Sequence, residues 1–400
     1  MLIGQFPSSV IIQKYPPRIW LSSMVILWAG LTMASAGCKT YAQLCAVRFL
    51  MGIAESSTYA GCVYVIGSWY KTDEIAKRIA MLTVAGQVGN MFAGVMMAAI
   101  HTSMEGLSGL SGWQWVFIID GVITLPIAGF GFFFFPDIPE STTAFYLNAE
   151  ERRLALARLP PKKKDGHNIA PWSLAKRVFG APIFYVACFF SFTAAAMQAY
   201  SIQGLLLLTL KAHQKSHHYT QTQINTYPLG IHGIAIISEF VVAILIDRFG
   251  LRLTTGLSLC AIQCVVSAVL LIPDLPVSGN LTAYYLAATA YGINPLLYGW
   301  PSQIAAKTGD DAVRSVMLAG MVAMGMLLYT FWGIAIYPAD DAPFWRNGYI
   351  AMICVSAVLA GWLFVMRWLD RKTPEHSGYR GETDEEDIAQ VAVVGTQEKA

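Results

Sequence analysis

The chain has 400 residues, of which 55% are hydrophobic and only 13% charged, against roughly 25% charged in a soluble domain. Mean hydropathy is +0.50. This excludes a soluble globular protein, and a net charge of +2 gives a nucleic acid nothing to bind. The composition is that of an all-α polytopic membrane protein with the lipid bilayer as its partner. Helix is the form required, because lipid satisfies no backbone polar group.

In chain order, residues 1–13 form an apolar stub, "MLIGQFPSSVIIQ", shorter than the roughly 20 residues a span needs. It has no basic segment or cleavage site of a secretory signal. Ten runs long enough to span follow, at about 19–37, 42–68, 79–100, 114–135, 181–207, 228–246, 253–272, 281–302, 315–337 and 348–368. A longer segment, 136–180, separates the first four from the last six. It carries "LNAEERRLALARL", which reads as an amphipathic helix, and then a solvated basic linker around Lys162–Lys164. The expected units are therefore a first bundle (1–135), a linker loop (136–180), a six-helix bundle (181–369) and an acidic tail (370–400) with "ETDEED".

Lysine and arginine set the orientation. When the gaps between spans are taken alternately, 22 of the 27 basic residues fall in one set and four in the other, with Arg48 inside a span. The basic set, which includes the C-terminus, is expected to be cytoplasmic. The plasma membrane is the expected location. Asn280 begins a glycosylation sequon in a loop of the opposite set. Two basic-side connections, "QKYPPRIW" and "DRFGLRLT", each carry basic residues four apart, which hints at duplicated bundles.

Charges inside spans mark function. Arg48 and Glu55 are seven residues apart, so in a helix they share a face with about 10 Å of rise between them. A guanidinium in a low-dielectric cavity offers a fork to a carboxylate. A buried carboxyl group resists ionisation, so it can load and release a proton. Arg48 for an organic anion and Glu55 for a proton would make a minimal symport device; the alternative is a structural pair or network that pins helix packing. His232 and Glu239 are also seven apart, and Glu239 is a second candidate for the proton route. Asp247, Arg248 and Arg252 suggest a gating or packing cluster at the cytoplasmic end. Asn294 and Tyr298, in a helix broken around Pro295 and Pro301, suit a cavity wall, and span 181–207 offers Tyr200 and Gln203; polar helix packing accounts for each of them equally well. Asp120 reads as a structural cap. The seven cysteines read as small core residues, and the glycines of "GQVGNMFAG" (86–94) as close helix packing. No nucleotide-binding, zinc-protease or nucleophile-triad motif argues for an enzyme. No cofactor is expected; the proton gradient is the driving force.

The segments "RFLMGIAES", "GSWYKTDEIAKRIA", "SGWQWVFIIDGVITLPIAGFGFFFFPDIPE", "GDDAVRSV" and "FWGIAIYPADDAPFWRNGYIAM" closely resemble fungal members of the anion:cation symporter branch of the major facilitator superfamily. The resemblance runs to about residue 373 and is nearest to the pantothenate permeases. Sister groups take biotin, nicotinate or allantoate. It implies two six-helix bundles rocking around a central site, working as a monomer. It also implies that Arg48 and Glu55 serve anion binding and proton coupling. Measured against that pattern, helix 1 is lacking and helix 2 is reduced to residues 1 to about 13. "TYAG" at 58–61 stands where the wider family often has Pro-Gly. The leading expectation is a proton-coupled importer of a small organic carboxylate, with pantothenate first. The alternative is a transport-inactive member acting as sensor or partner.

Overall fold

The computed structural model describes residues 2–70, 74–157, 171–199, 203–213, 219, 221–273, 275–308 and 310–373. Their regular structure is entirely helical. The helices are α1 (Leu2–Lys14), α2 (Pro17–Ala36), α3 (Tyr41–Glu55), α4 (Thr58–Trp69), α5 (Ile75–Ser103), α6 (Gly112–Phe134), α7 (Ala149–Ala157), α8 (Pro171–Gly180) and α9 (Pro182–Ala199). There follow α10 (Gln203–Ala212), α11 (Gln221–Thr226), α12 (Leu229–Phe249), α13 (Arg252–Leu270), α14 (Val277–Ala287), α15 (Asn294–Lys307), α16 (Asp311–Ile336) and α17 (Arg346–Lys372). Among the described residues nine runs are long and apolar enough to cross a membrane, so the protein is multi-pass. Lys162–Lys164, Tyr200 and the acidic stretch of the tail lie outside the described residues.

Two expected spans are interrupted. The run 42–68 divides into α3 and α4 at Ser56–Ser57. Both hydroxyls donate back into the preceding turn, Ser56 Oγ to Ile53 O at 2.6 Å and Ser57 Oγ to Ala54 O at 3.0 Å. Such bonds compete with the helical ladder and bend it. The run 281–302 is α14, a 3₁₀ segment Ala288–Ile293, and α15. The break thus falls just ahead of Pro295, while Pro301 lies inside α15 without breaking it. Side chains of neighbouring helices hold the 3₁₀ segment. Gln263 Nε2 donates to Ala287 O and Thr289 Oγ1, each at 3.1 Å, and Ser238 Oγ donates to Thr289 O at 3.1 Å.

In the first half, α6 lies along α2. The approach depends on Gly121, where a Cβ would sit 2.3 Å from Met33 Cγ and 2.9 Å from the Ala29 carbonyl oxygen. Gly129, two turns further on, has open space beside it. Overpacking of this kind costs about 1–3 kcal/mol. Gly121→Val is therefore expected to lower the melting temperature of the solubilised protein by several degrees, and Gly129→Val to leave it unchanged. The larger buried core is in the second half, around Phe190, Tyr284, Trp300, Trp345 and Tyr349. The halves meet where α5 packs on α12 and α15, and where α16 packs on α1 and α4.

Several expectations about single residues change. Asp120 lies well inside α6 and caps nothing. The N-terminus of that helix is closed by Gln114, whose Oε1 accepts from the Ser111 N–H at 3.0 Å. Asn280 sits in α14 and is half-buried, not in a free loop. Gly86 and Gly89 face open space, and only Gly94 of that run approaches another helix, at Leu229. Cys188 and Cys260 are buried, but Cys45 and Cys354 are on the outer surface.

Candidate functional site

Between the halves lies a cavity of about 640 Å³, within the range of small-molecule sites. One wall comes from α1, α2, α4 and α5, together with Glu55 at the end of α3 and Thr124 of α6. The other comes from α9, α15 and α16. Glu55 is exposed to this space because α3 ends at it. Tyr59, one turn on, meets Tyr298 of the opposite wall edge to face, with ring centroids 4.9 Å apart. No lysine, arginine or histidine is among the described residues that line the cavity.

Behind the second wall runs a buried hydrogen-bond network. Glu239 of α12 is 0% exposed. Its Oε1 accepts from Asn294 Nδ2 at 2.9 Å and its Oε2 from Thr83 Oγ1 at 3.0 Å. Asn294 Oδ1 accepts from Gln198 Nε2 at 2.6 Å, and Gln198 Oε1 from the Tyr329 hydroxyl at 3.3 Å. Thr83, Asn294, Gln198 and Tyr329 all line the cavity, so the carboxyl group of Glu239 is joined to it by two direct hydrogen bonds, from Asn294 and from Thr83. One helical turn from Thr83 on α5, Gln87 Oε1 lies 2.7 Å from Nδ1 of buried His232. The seven-residue spacing of His232 and Glu239 therefore places both against α5. A buried carboxylate without a cation is costly in this setting. Among the described residues no basic group lies within ion-pair distance of Glu239.

The sequence profile of the Major Facilitator Superfamily matches residues 1–310. The chain belongs to this superfamily. It is 34% identical over 364 residues to the pantothenate transporter liz1 of Schizosaccharomyces pombe, covering 90% of this chain and 69% of that protein. It is 31% identical over 366 residues to the pantothenate transporter FEN2 of Saccharomyces cerevisiae, covering 89% and 70%. The vitamin H transporter of the same yeast is 28% identical, covering 91% and 62%. Among solved structures, the proton:xylose symporter XylE superposes with a TM-score of 0.65 at 15% identity, covering 94% of this chain and 84% of that one. The Escherichia coli fucose:proton symporter FucP gives 0.62 at 12%, covering 91% and 87%. At such identity these two similarities establish the fold alone. The chain is a superfamily transporter.

In this superfamily member Glu55, Asn294 and Tyr298 are brought together on the cavity, with Glu239 directly behind. Arg48 is not among the cavity-lining residues. Its guanidinium is exposed and stands over the Phe117 ring of α6, 5.2 Å from the centroid, on the same helix as Glu55. The three residues 247, 248 and 252 are not one cluster. Asp247 Oδ2 accepts from the Lys77 N–H at the start of α5, at 3.0 Å. Arg252 pairs at 3.7 Å with Asp370, which also takes Lys307 at 2.6 Å and the Trp300 indole. Arg248 is exposed and lies over its neighbour Phe249.

Sequence reasoning missed Arg314. It is 4% exposed and donates to Gly67 O at 3.0 Å and Ser68 Oγ at 3.2 Å, at the C-terminal end of α4. The last carbonyls of a helix lack intrahelical partners, and a cation there is favourable. Asp247 provides the converse at the N-terminal end of α5. The two helix ends flanking residues 70–74 are thus each closed by a charge of the appropriate sign from the other half.

Proposed function

We propose that the protein imports a small organic carboxylate, pantothenate first, together with protons across the plasma membrane by alternating access. The reading is carried by a cavity between the halves with Glu55 on its wall and Glu239 linked to that wall through Asn294 and Thr83. Two relatives bearing the name pantothenate transporter, at 34% and 31% identity, support the substrate. Arg48, two turns from Glu55 toward the less basic end, is the group on α3 that meets the anion before it enters. Glu239 carries the proton, since adding one removes the cost of a buried charge, and Glu55 takes it up and releases it at the cavity.

Expression in a yeast strain lacking its pantothenate importer tests the reading. Growth at low external pantothenate is the expected outcome. Surface-localised protein without rescue would overturn pantothenate as substrate. Arg48→Ala is expected to raise the concentration for half-maximal uptake at least about tenfold, as the loss of one charged hydrogen-bonded pair implies. Competition by unlabelled biotin measures how far the substrate range extends toward that of the vitamin H transporter.

A further inference from the structure

Three buried polar atoms of cavity-lining residues have no hydrogen-bond partner among the described residues: Gln5 Oε1, Trp28 Nε1 and Tyr59 Oη. All three come from the first half, on α1, α2 and α4. The opposite wall differs. There Gln198, Asn294 and Tyr329 are bonded to one another or to Glu239, and Ser191 Oγ donates to Met321 O at 2.6 Å. On the first-half wall Thr83, Gln87 and Thr124 are also bonded, so the buried polar atoms left without a partner among the described lining residues are those of Gln5, Trp28 and Tyr59.

Buried polar groups without partners are rare and costly in folded proteins. Three on one wall of one cavity call for a common partner. An indole N–H can only donate, so the partner of Trp28 is an acceptor. A tyrosine hydroxyl donates readily to the same kind of atom. The Tyr59 ring is fixed against Tyr298, which holds its hydroxyl at the junction of the two walls. No basic side chain lines the cavity among the described residues, so these three groups meet a ligand as neutral hydrogen-bond partners.

We propose that Trp28 and Tyr59 donate to, and Gln5 Oε1 accepts from, the uncharged part of the substrate: a hydroxyl or amide group, which both accepts and donates, set apart from its carboxylate. The inference rests on the transporter reading above and narrows it. The ligand is an acid that also carries amide or hydroxyl groups, and a plain aliphatic acid is refused. Sites built to hydrogen-bond a substrate discriminate strongly against analogues that lack the bonding group.

The test is thermal stabilisation of the purified protein by pantothenate, by biotin and by a straight-chain aliphatic monocarboxylate. Wild type, Trp28→Phe and Tyr59→Phe are compared. Wild type is expected to bind at least one amide-bearing acid about tenfold or more tightly than the aliphatic acid. Each Phe variant is expected to reduce that preference by about tenfold while leaving affinity for the aliphatic acid unchanged. Without ligand Tyr59→Phe should melt no lower than wild type, because it loses only an unpaired buried hydroxyl and keeps the ring. A merely structural residue would show the opposite. An undiminished preference in both variants overturns the proposal. So does equal binding of the aliphatic acid by wild type, or no stabilisation by any probe. The yeast rescue decides pantothenate import separately, so rescue without a change in preference faults this inference alone.

Discussion

Replacing Glu239 with glutamine is expected to abolish accumulation of substrate against its gradient while leaving exchange of substrate across the membrane within about threefold of wild type, since packing and one hydrogen bond survive. The glutamine keeps the shape of the side chain and one acceptor oxygen. It cannot take up a proton, and its amide nitrogen cannot accept from Thr83 or Asn294 as the carboxylate oxygens do. The measurement is uptake of labelled pantothenate into proteoliposomes under an imposed pH gradient. One coupled proton gives about tenfold accumulation per pH unit, the equivalent of about 1.4 kcal/mol. Wild type should reach that and Glu239→Gln should only equilibrate. Accumulation by the variant that matches wild type rules out a proton at this site. Glu55→Gln is expected to lose coupling as well, because its carboxyl faces the cavity from the opposite half.

The second large effect concerns the basic end. Arg314→Ala is expected to open that end and to raise its accessibility about 10- to 150-fold. The substitution leaves the Gly67 carbonyl without its donor and removes a nearly buried cation from the end of α4. Hydrogen bonds to charged groups contribute about 1.5–3 kcal/mol, which sets that range of change in the closed-to-open ratio. A single cysteine at Gly299 provides the measurement. A side chain there would face Ile75 and Ile79 of α5 across the interface. In an otherwise cysteine-free protein, its labelling by a membrane-impermeant thiol reagent should quicken when Arg314 is removed. Asp247→Asn should act in the same direction, but less, since the amide oxygen still accepts from the Lys77 N–H. Unchanged labelling in both variants would show that these contacts do not hold the end closed.

The spans were legible because a bilayer demands long uninterrupted apolar runs, and hydropathy registers that demand directly. The interruptions were not, since they arise from local hydrogen bonding. Ser56 and Ser57 look like small polar residues in a span until their hydroxyls are seen bonding to Ile53 and Ala54. The seven-residue spacing of Arg48 and Glu55 held, because both lie in α3. What spacing could not convey is that the cavity begins at Glu55 and that Arg48 lies against α6 instead. Glu239 was visible as a charge in a span, but its partners Thr83 and Asn294 are 156 and 55 residues away. Arg314 was missed because it lies at a helix start among "GDDAVRS", where a basic residue reads as an ordinary cytoplasmic flank.

The 3₁₀ segment between α14 and α15 has one further consequence, which is geometric. A 3₁₀ helix advances about 120° per residue, against about 100° for an α-helix, and rises about 2.0 Å instead of about 1.5 Å. Over the six residues Ala288–Ile293 this amounts to a screw of about 120° and about 3 Å relative to an unbroken α-helix. Asn294 and Tyr298 owe their azimuth to that extra winding. Were the segment to relax to α geometry, Asn294 would swing a third of a turn away from Glu239, and the carboxyl group would lose its link to Gln198 and Tyr329. The segment is therefore a phase-setting element, and six residues of winding number determine whether the interior carboxyl group reaches the Gln198 and Tyr329 side of the cavity, in addition to its bond to Thr83.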